Sequence, residues 1–324
     1  MIKKTLILSN PTDDTHVHRL VAEFDRLGHP WVIFDPGDFP EKVQVQALMC
    51  NDIRQSSFLL TNGTRIVLEE FTSVWYRRPT RILPRDTLPT MEQTFILREA
   101  NAGIWGWLRG LQAFWINHPD DVRAAGHKPE QLQRAAALGL TIPCSLVTNE
   151  PEALKQFYEE CNGTIIYKLM GYPWYIDKDE LPISTYTSLV SKEMLDEAHR
   201  VTATAHLFQE FIIKQCDIRV TIIGNDVFAT EIHPLSEETQ IDFRADYGKL
   251  HYVPHTLPDH LSKKLLALTR SYHLVYAGID LLLTPAGHYV YLELNALGQF
   301  GWLEGRTGVP LYHKLATLLV EGEK

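Results

Sequence analysis

The chain has 324 residues, 45% hydrophobic and 22% charged, with a formal net charge of −9, an ordinary globular composition with room for two or three subdomains. The acidity, with no lysine- or arginine-rich run, argues against nucleic acid as a partner, a local basic cleft being the one arrangement left open. No apolar run approaches membrane-spanning length and the first ten residues do not make a signal peptide, so a cytoplasmic protein without membrane contact is expected; the four scattered cysteines, lacking any CxxC pair, read as free thiols of a reducing compartment and not as a disulfide frame or zinc site.

Residues 4–8 form a short apolar run, and Asn10 to Asp14 then offer turn and N-cap residues. Residues 17–27 have helical spacing and stop at Gly28, and residues 31–34 read as the next strand. This strand–helix–strand opening predicts a small α/β domain with parallel strands. Residues 43–76 read as further strands, ending just before the basic Arg77-Arg78-Pro79. A long amphipathic helix is expected over 90–114, with Trp105, Trp107 and Trp115 as core packing, and Asn117-His118-Pro119 closes a first domain at residue 118. His16-Val17-His18 lacks a third metal ligand nearby and reads as solvated helix-cap histidines.

A second domain is expected over 119–205. Residues 129–138 are helical and stop at Gly139; 142–147 are extended; Glu150-Pro151 opens a helix that ends near Asn162-Gly163. Residues 164–170 form a strand with Lys168 inside it, and 171–189, rich in aromatic, Thr and Ser residues, read as a hairpin or a mobile loop. The third domain, 206–324, starts with strand, loop, strand, tight turn (Gly224-Asn225-Asp226) and strand, and finishes with a helix near 310–319.

Within it, residues 277–304 (AGIDLLLTPAGHYVYLELNALGQFGWLE) carry the strongest pattern. Two apolar runs flank Pro285-Ala286-Gly287, a hairpin turn signal. A symmetric turn sets Ile279 against Leu294, Leu281 against Leu292 and Leu283 against Val290, making one face wholly apolar and thereby fixing the register. The same register sets Asp280 opposite Glu293, with Asn295 two residues further on. Opposed carboxylates about 5 Å apart repel each other, and a cation between them removes the penalty. Oxygen-only ligands suit Mg²⁺ together with substrate phosphates; a solvated face that merely carries acids is the alternative.

The common nucleotide loops, GxxxxGK[ST] and GxGxxG, are missing, and no Ser or Cys sits in a nucleophile-elbow pattern. Any phosphate must therefore be held by another device. Lys128, at a helix start, and Lys168, in an apolar strand, are the candidates, since an ammonium in apolar surroundings is costly without an anion; a surface lysine and a snorkelling edge-strand lysine are the plainer readings. Gln209-Glu210-Phe211 is a strand with one carboxylate in an apolar setting. Asp217 and Arg219, two apart on a strand, share a face, and a structural salt bridge explains them as well as chemistry does.

In this order and spacing the residues resemble the ATP-grasp ligases, over about residues 119–324. The resemblance implies an α/β (α+β) chain: an N-terminal α/β pre-ATP-grasp domain, a small central α+β domain, and a C-terminal α+β domain with an antiparallel sheet. A narrower resemblance, to the ATP-grasp ribosomal peptide maturases that make microviridins and related graspetides, rests on Trp75-Tyr76-Arg77-Arg78-Pro79, Asp242-Phe243-Arg244, residues 293–304 and the opening segments around 6–14 and 34–40. It departs from the pattern at Phe243, where Trp is expected, and at Ala296-Leu297, which fills a Pro-containing step. The implied reaction is ATP-dependent cyclisation of a ribosomally made precursor peptide through acyl phosphates of Asp or Glu, joined to Thr or Ser hydroxyls or a Lys amine.

By that resemblance Lys128, Lys168, Gln209, Glu210, Phe211 and Asp217 bind ATP. Asp280, Glu293 and Asn295 place Mg²⁺, and Arg219 and Arg244 stabilise the acyl phosphate and the following oxyanion. The central domain would take the precursor's leader, with Tyr172, Trp174, Tyr186 and Glu193 involved, and a homodimer is expected. A RimK-like ligase that adds an amino acid to a protein or peptide is the alternative enzyme; a non-catalytic, nucleotide-gated peptide-binding module is the alternative of another class.

Overall fold

The computed structural model describes residues 3–10, 14–51, 53–83, 88–171, 174–176, 182–184, 187–236 and 248–322. The chain divides into two compact units. The first comprises Met1–Val122, His273–Tyr276 and Gln299–Lys324; the second comprises Arg123–Tyr272 and Ala277–Gly298.

The first unit opens with β1 (Thr5–Ser9), α1 (Asp14–Leu27) and β2 (Trp31–Phe34). The helix ends where Gly28 takes a positive φ of 66°, a conformation that costs glycine little. β3 (Val43–Cys50), β4 (Ile53–Leu60) and β5 (Arg65–Val67) form an antiparallel sheet. β6 (Ser73–Arg78), α2 (Thr90–Leu108), β7 (Phe114–Ile116) and α3 (Pro119–Ala124) follow. β2, β1, β6 and β7 make a parallel sheet in that order, the arrangement that strand–helix–strand connections favour.

The expected helix over 90–114 is six residues shorter than its apolar pattern. Phe114, Trp115 and Ile116 pair with Ser73, Val74 and Trp75, because completing the sheet satisfies their backbone groups and buries Trp115 and Ile116. Trp115 lies in the core with Leu6, Leu8, Phe34 and Val74, and Trp105 and Trp107 pack partly buried against it.

His16 departs from its expected solvation. It is buried, with Nδ1 2.7 Å from the Tyr312 hydroxyl and its ring edge-on to Phe300. The last helix of the chain, which carries Tyr312, packs on α1 within this unit, and no local pattern around His16 encodes that. His18, on the other side of α1, is exposed.

The second unit holds α4 (Lys128–Ala137), β8 (Ser145–Thr148), α5 (Pro151–Glu160), β9 (Ile165–Lys168), β10 (Trp174–Ile176), β11 (Pro182–Ser184), β12 (Ser188–Leu189), α6 (Lys192–Asp196) and β13 (His206–Glu210). β12, β9, β13 and β8 form one sheet, antiparallel at each pairing; β10 and β11 make a separate antiparallel hairpin. Its small core gathers Leu154, Ile165, Val190, Ala198, Val201 and Phe208.

β14 (Cys216–Ile223), β15 (Asp226–Pro234), β16 (Leu250–His255), α7 (Asp259–Ser271), β17 (Tyr276–Leu283) and β18 (Tyr289–Asn295) follow. The strands form a sheet in the order β16-β15-β14-β17-β18. α8 (Gly301–Thr307) and α9 (Leu311–Glu321) belong to the first unit.

The β17–β18 hairpin keeps the predicted register on one side of a bulge only. Ile279 pairs with Leu294 and Asp280 with Glu293, as the apolar pattern requires. Beyond Asp280 the register shifts, so that Leu281 pairs with Tyr291, Leu282 with Val290 and Leu283 with Tyr289. The turn is closed at Thr284, which accepts from Gly287 N and donates its own N–H to His288 O. The extra residue is Leu292, and such a bulge is invisible to a period-two reading.

Candidate active site

Asp280 and Glu293 stand opposite each other on β17 and β18, and Asn295 stands opposite Gly278. The sequence pattern leaves two ways to relieve the two carboxylates, a bound cation or solvation. The structure instead supplies a protein cation to each. Arg219 Nη1 donates to both carboxylate oxygens of Asp280, at 2.8 and 2.9 Å, and Lys128 Nζ lies 3.1 Å from Glu293 Oε2. Asn295 Nδ2 donates to Glu293 Oε1 at 3.3 Å. The side chains of Arg219, Asp280 and Glu293 are largely withdrawn from solvent, 7%, 14% and 14% exposed, and Lys128 is 23% exposed.

Lys128 is the first residue of α4, followed by Pro129 in the first turn, where a missing N–H costs nothing. Besides Glu293, its ammonium donates to Leu169 O at 2.7 Å, the carbonyl just after Lys168. This one side chain therefore joins the end of β9 to the carboxylate face of β18. Lys168 itself ends β9, half-buried, with Leu207 as its partner on β13.

Arg219 is held sterically as well as electrostatically. A Cβ at Gly278, or at Gly298, would collide with its Nη2, so both positions require glycine for the guanidinium to lie where it does. Asp217, two residues earlier, pairs with Lys214 at 2.6 Å, both nearly buried. The shared strand face thus carries two ion pairs, Lys214–Asp217 and Arg219–Asp280.

On β13, Glu210 Oε1 accepts from Cys144 N at 2.8 Å. Burial, followed by the Glu210 charge, raises the Cys144 thiol above its ordinary value. Gln209 is buried and donates to Ser145 Oγ at 2.8 Å. Phe211 N donates to Thr164 O at 3.1 Å. Glu193 lies in the first turn of α6, exposed, where a hydrogen bond from Ser191 at the N-cap holds its carboxyl below the usual range. Trp174 is in β10. Arg244, Tyr172 and Tyr186 lie outside the described residues.

One site residue escaped the sequence reading. Gln131, one turn after Lys128 on α4, is buried. Its Nε2 donates to Leu294 O at 2.9 Å and to Ala125 O, and its Oε1 accepts from Leu294 N at 2.9 Å and the Tyr291 hydroxyl at 3.0 Å. This amide stitches α4 to β18 between Glu293 and Asn295. The signal was available, since a polar residue three after Lys128 falls on the same helix face. Tyr291 is raised well above its ordinary pKa by burial, then by Tyr272, Glu293 and Asp280, so it serves here as a neutral donor.

The donor set fits a hard divalent cation: two carboxylates and an amide oxygen on one sheet face, with no sulfur or imidazole among Asp280, Glu293 and Asn295. Asp280, Glu293 and Asn295 would hold it, against the phosphates of a nucleotide.

Residues 4–123 match the MvdD pre-ATP grasp domain and residues 128–319 the RimK-like ATP-grasp domain. Among solved structures the chain is similar to macrocyclase MdnC of Microcystis aeruginosa MRC bound with precursor peptide MdnA: 29% identity, 98% of this chain and 100% of that one covered, TM-score 0.87. It is similar also to a RiPP-associated ATP-grasp ligase of Chryseobacterium gregarium in complex with ADP and a leader and core peptide (26%, 99% and 98%, TM-score 0.91). Macrocyclase MdnB of Microcystis aeruginosa MRC gives 28%, 99% and 100%, and a TM-score of 0.81. A search of curated proteins finds no match. With more than half its length in the RimK-like ATP-grasp domain, preceded by a match to the MvdD pre-ATP grasp domain, the chain belongs to the RimK-like ATP-grasp family.

Proposed function

We propose that this protein is an ATP-dependent peptide ligase that closes side-chain rings in a ribosomally made precursor. An Asp or Glu carboxylate of the precursor attacks the γ-phosphorus of ATP, giving an acyl phosphate and ADP. A Thr or Ser hydroxyl, or a Lys amine, then attacks the acyl carbon, losing its proton and expelling phosphate to leave an ω-ester or ω-amide. The observation that supports the reading is Lys128, whose ammonium contacts both Glu293 and the carbonyl of Leu169, the residue after Lys168.

Phosphoryl transfer asks chiefly for positioning and charge neutralisation. Lys128 and Lys168 hold phosphate oxygens, Glu210 and the Gln209–Phe211 backbone hold the nucleoside, and Asp217 keeps β14 anchored through Lys214. Asp280, Glu293 and Asn295 would hold Mg²⁺, which would neutralise phosphate charge during the transfer. Arg219, fixed by Asp280 between two glycines, presents its guanidinium to the acyl phosphate and to the oxyanion of the second step, with Arg244 as a second cation. The segment with β10, β11 and α6, including Tyr172, Trp174, Tyr186 and Glu193, takes the leader. The enzyme works as a cytoplasmic homodimer.

The test is mass spectrometry of a precursor carrying its leader, incubated with the protein, ATP and Mg²⁺. Each ring removes one water and releases one ADP, whereas an amino-acid-adding ligase increases the peptide's mass. Mass gain that depends on a free amino acid, or ATP binding with no peptide-dependent ADP release, would overturn the reading.

A further inference from the structure

Side chains on one strand alternate between faces. Asp217 and Arg219 point to the carboxylate face of the sheet, so Cys216 and Ile218 point to the opposite one. Glu231 lies across from Ile218, and His233, two residues on, shares its face. Among the described residues, Cys216, Glu231 and His233 form a group whose ligand atoms all lie within 4.8 Å of one another. Glu231 Oε2 is 2.6 Å from His233 Nε2, and Glu231 Oε1 is 2.7 Å from His255 Nδ1. His255 Nε2 in turn lies 2.8 Å from the Tyr289 hydroxyl.

We propose that Cys216, Glu231 and His233 form a binding site for a borderline-soft divalent metal such as Zn²⁺, separate from the Mg²⁺–ATP site on the other face of the sheet. One thiolate, one imidazole and one carboxylate match the ligands of a three-residue zinc centre, with water completing the tetrahedron. Ligand atoms about 2.0–2.3 Å from such an ion are about 3.3–3.8 Å apart, so closure needs side-chain shifts of roughly 1 Å. His255 and Tyr289 complete the arrangement as the outer hydrogen-bonded chain that orients a ligating carboxylate.

Burial works against the Glu231 charge, but hydrogen bonds from His233 and His255 outweigh it and hold the carboxyl below its ordinary range. Burial pushes the Cys216 thiol up to about 12, so an incoming metal must displace that proton to solvent, a cost that its bond to sulfur has to cover. Cys216 is buried, while Glu231 and His233 are 20% and 29% exposed, which leaves a solvent side for entry. A bound ion ties β14 to β15, and through His255 and Tyr289 to β16 and β18, behind Arg219 and Asp280. Cys216 comes from β14 while Glu231 and His233 come from β15, so no CxxC or HxxxH spacing announces the group.

The test titrates the full chain, stripped with chelator and held in excess Mg²⁺, with Co²⁺ as the probe. The expected result is one equivalent bound with tetrahedral visible bands and a thiolate-to-cobalt band in the near ultraviolet. Cys216→Ala loses that band; His233→Gln, at a partly exposed position, weakens binding at least tenfold even should the cysteine variant fail to fold. His255→Gln keeps the band and weakens binding by about 10–100-fold. Asp280→Asn leaves Co²⁺ binding unchanged, which separates this site from the ligase reading. Absence of the near-ultraviolet band in the wild-type protein, or equal binding by wild type and His233→Gln, would overturn the proposal.

Discussion

Replacing Arg219 by alanine removes a guanidinium that is nearly buried and chelates Asp280 through Nη1. Breaking such a pair by deleting one partner costs about 3–5 kcal/mol, because the remaining charge stays buried without its cation. At about 2–4 °C per kcal/mol for a unit of this size, the melting temperature falls by roughly 10 °C. Asp280 then also faces Glu293 with one cation, Lys128, for two carboxylates. The effect on chemistry is larger than unfolding at assay temperature explains: losing one oriented donor to a developing oxyanion lowers turnover by about 10²–10³-fold. ATP affinity changes little, since the lysines and the β13 backbone are untouched. Calorimetry gives the nucleotide affinity, differential scanning fluorimetry the stability, and mass spectrometry the ring count. The double variant Arg219→Ala/Asp280→Asn removes the orphaned charge and recovers part of the melting temperature but none of the activity. Near-normal ring formation by Arg219→Ala would remove Arg219 from the catalytic set. An unchanged melting temperature would show that the buried pair is not what anchors Asp280.

Gly298→Ala places a methyl group against Arg219 Nη2 and 3.3 Å from Asn295 Cβ; overpacking of this kind costs about 1–3 kcal/mol, and the displaced guanidinium lowers turnover while ATP still binds, a split that unchanged turnover in a peptide-dependent ADP-release assay would refute. In the first unit, His29 is buried, 2.8 Å from Thr5 Oγ1, which lies 2.7 Å from Ser73 Oγ. Desolvation, followed by the charge of Lys3, lowers its pKa from 6.5. The unfolded chain therefore binds the proton first as pH falls, so the stability present above 6.5 is lost progressively toward the lower folded-state value. Urea midpoints between pH 7.5 and 5 show this loss in the wild type and less of it in His29→Gln; identical slopes would exclude His29 as the source.

Much of the architecture was legible because local signals and global pairing agree. The opening strand–helix–strand, Gly28, Gly139 and the Gly224 turn fall where the chain places them. The apolar alternation of β17 and β18 fixed Asp280 opposite Glu293, since a slip would have exposed Ile279 and Leu294. The pattern failed where pairing overrode periodicity: Phe114 left the helix to complete a parallel sheet, and the Leu292 bulge shifted half of the hairpin. His16 was misread because the residue that buries it, Tyr312, lies 296 positions away.

The sequence by itself determined which residue types could hold a phosphate and a hard cation, and in what order along the chain, because those properties reside in single side chains and in spacings of two. Who neutralises whom was decided only by the fold. Arg219 finding Asp280, Lys128 reaching both Leu169 O and Glu293, Gln131 stitching α4 to β18, and Cys216 meeting Glu231 and His233 are contacts across strands and helices. Their distances depend on sheet order and a bulge, and neither is written in any local stretch of residues.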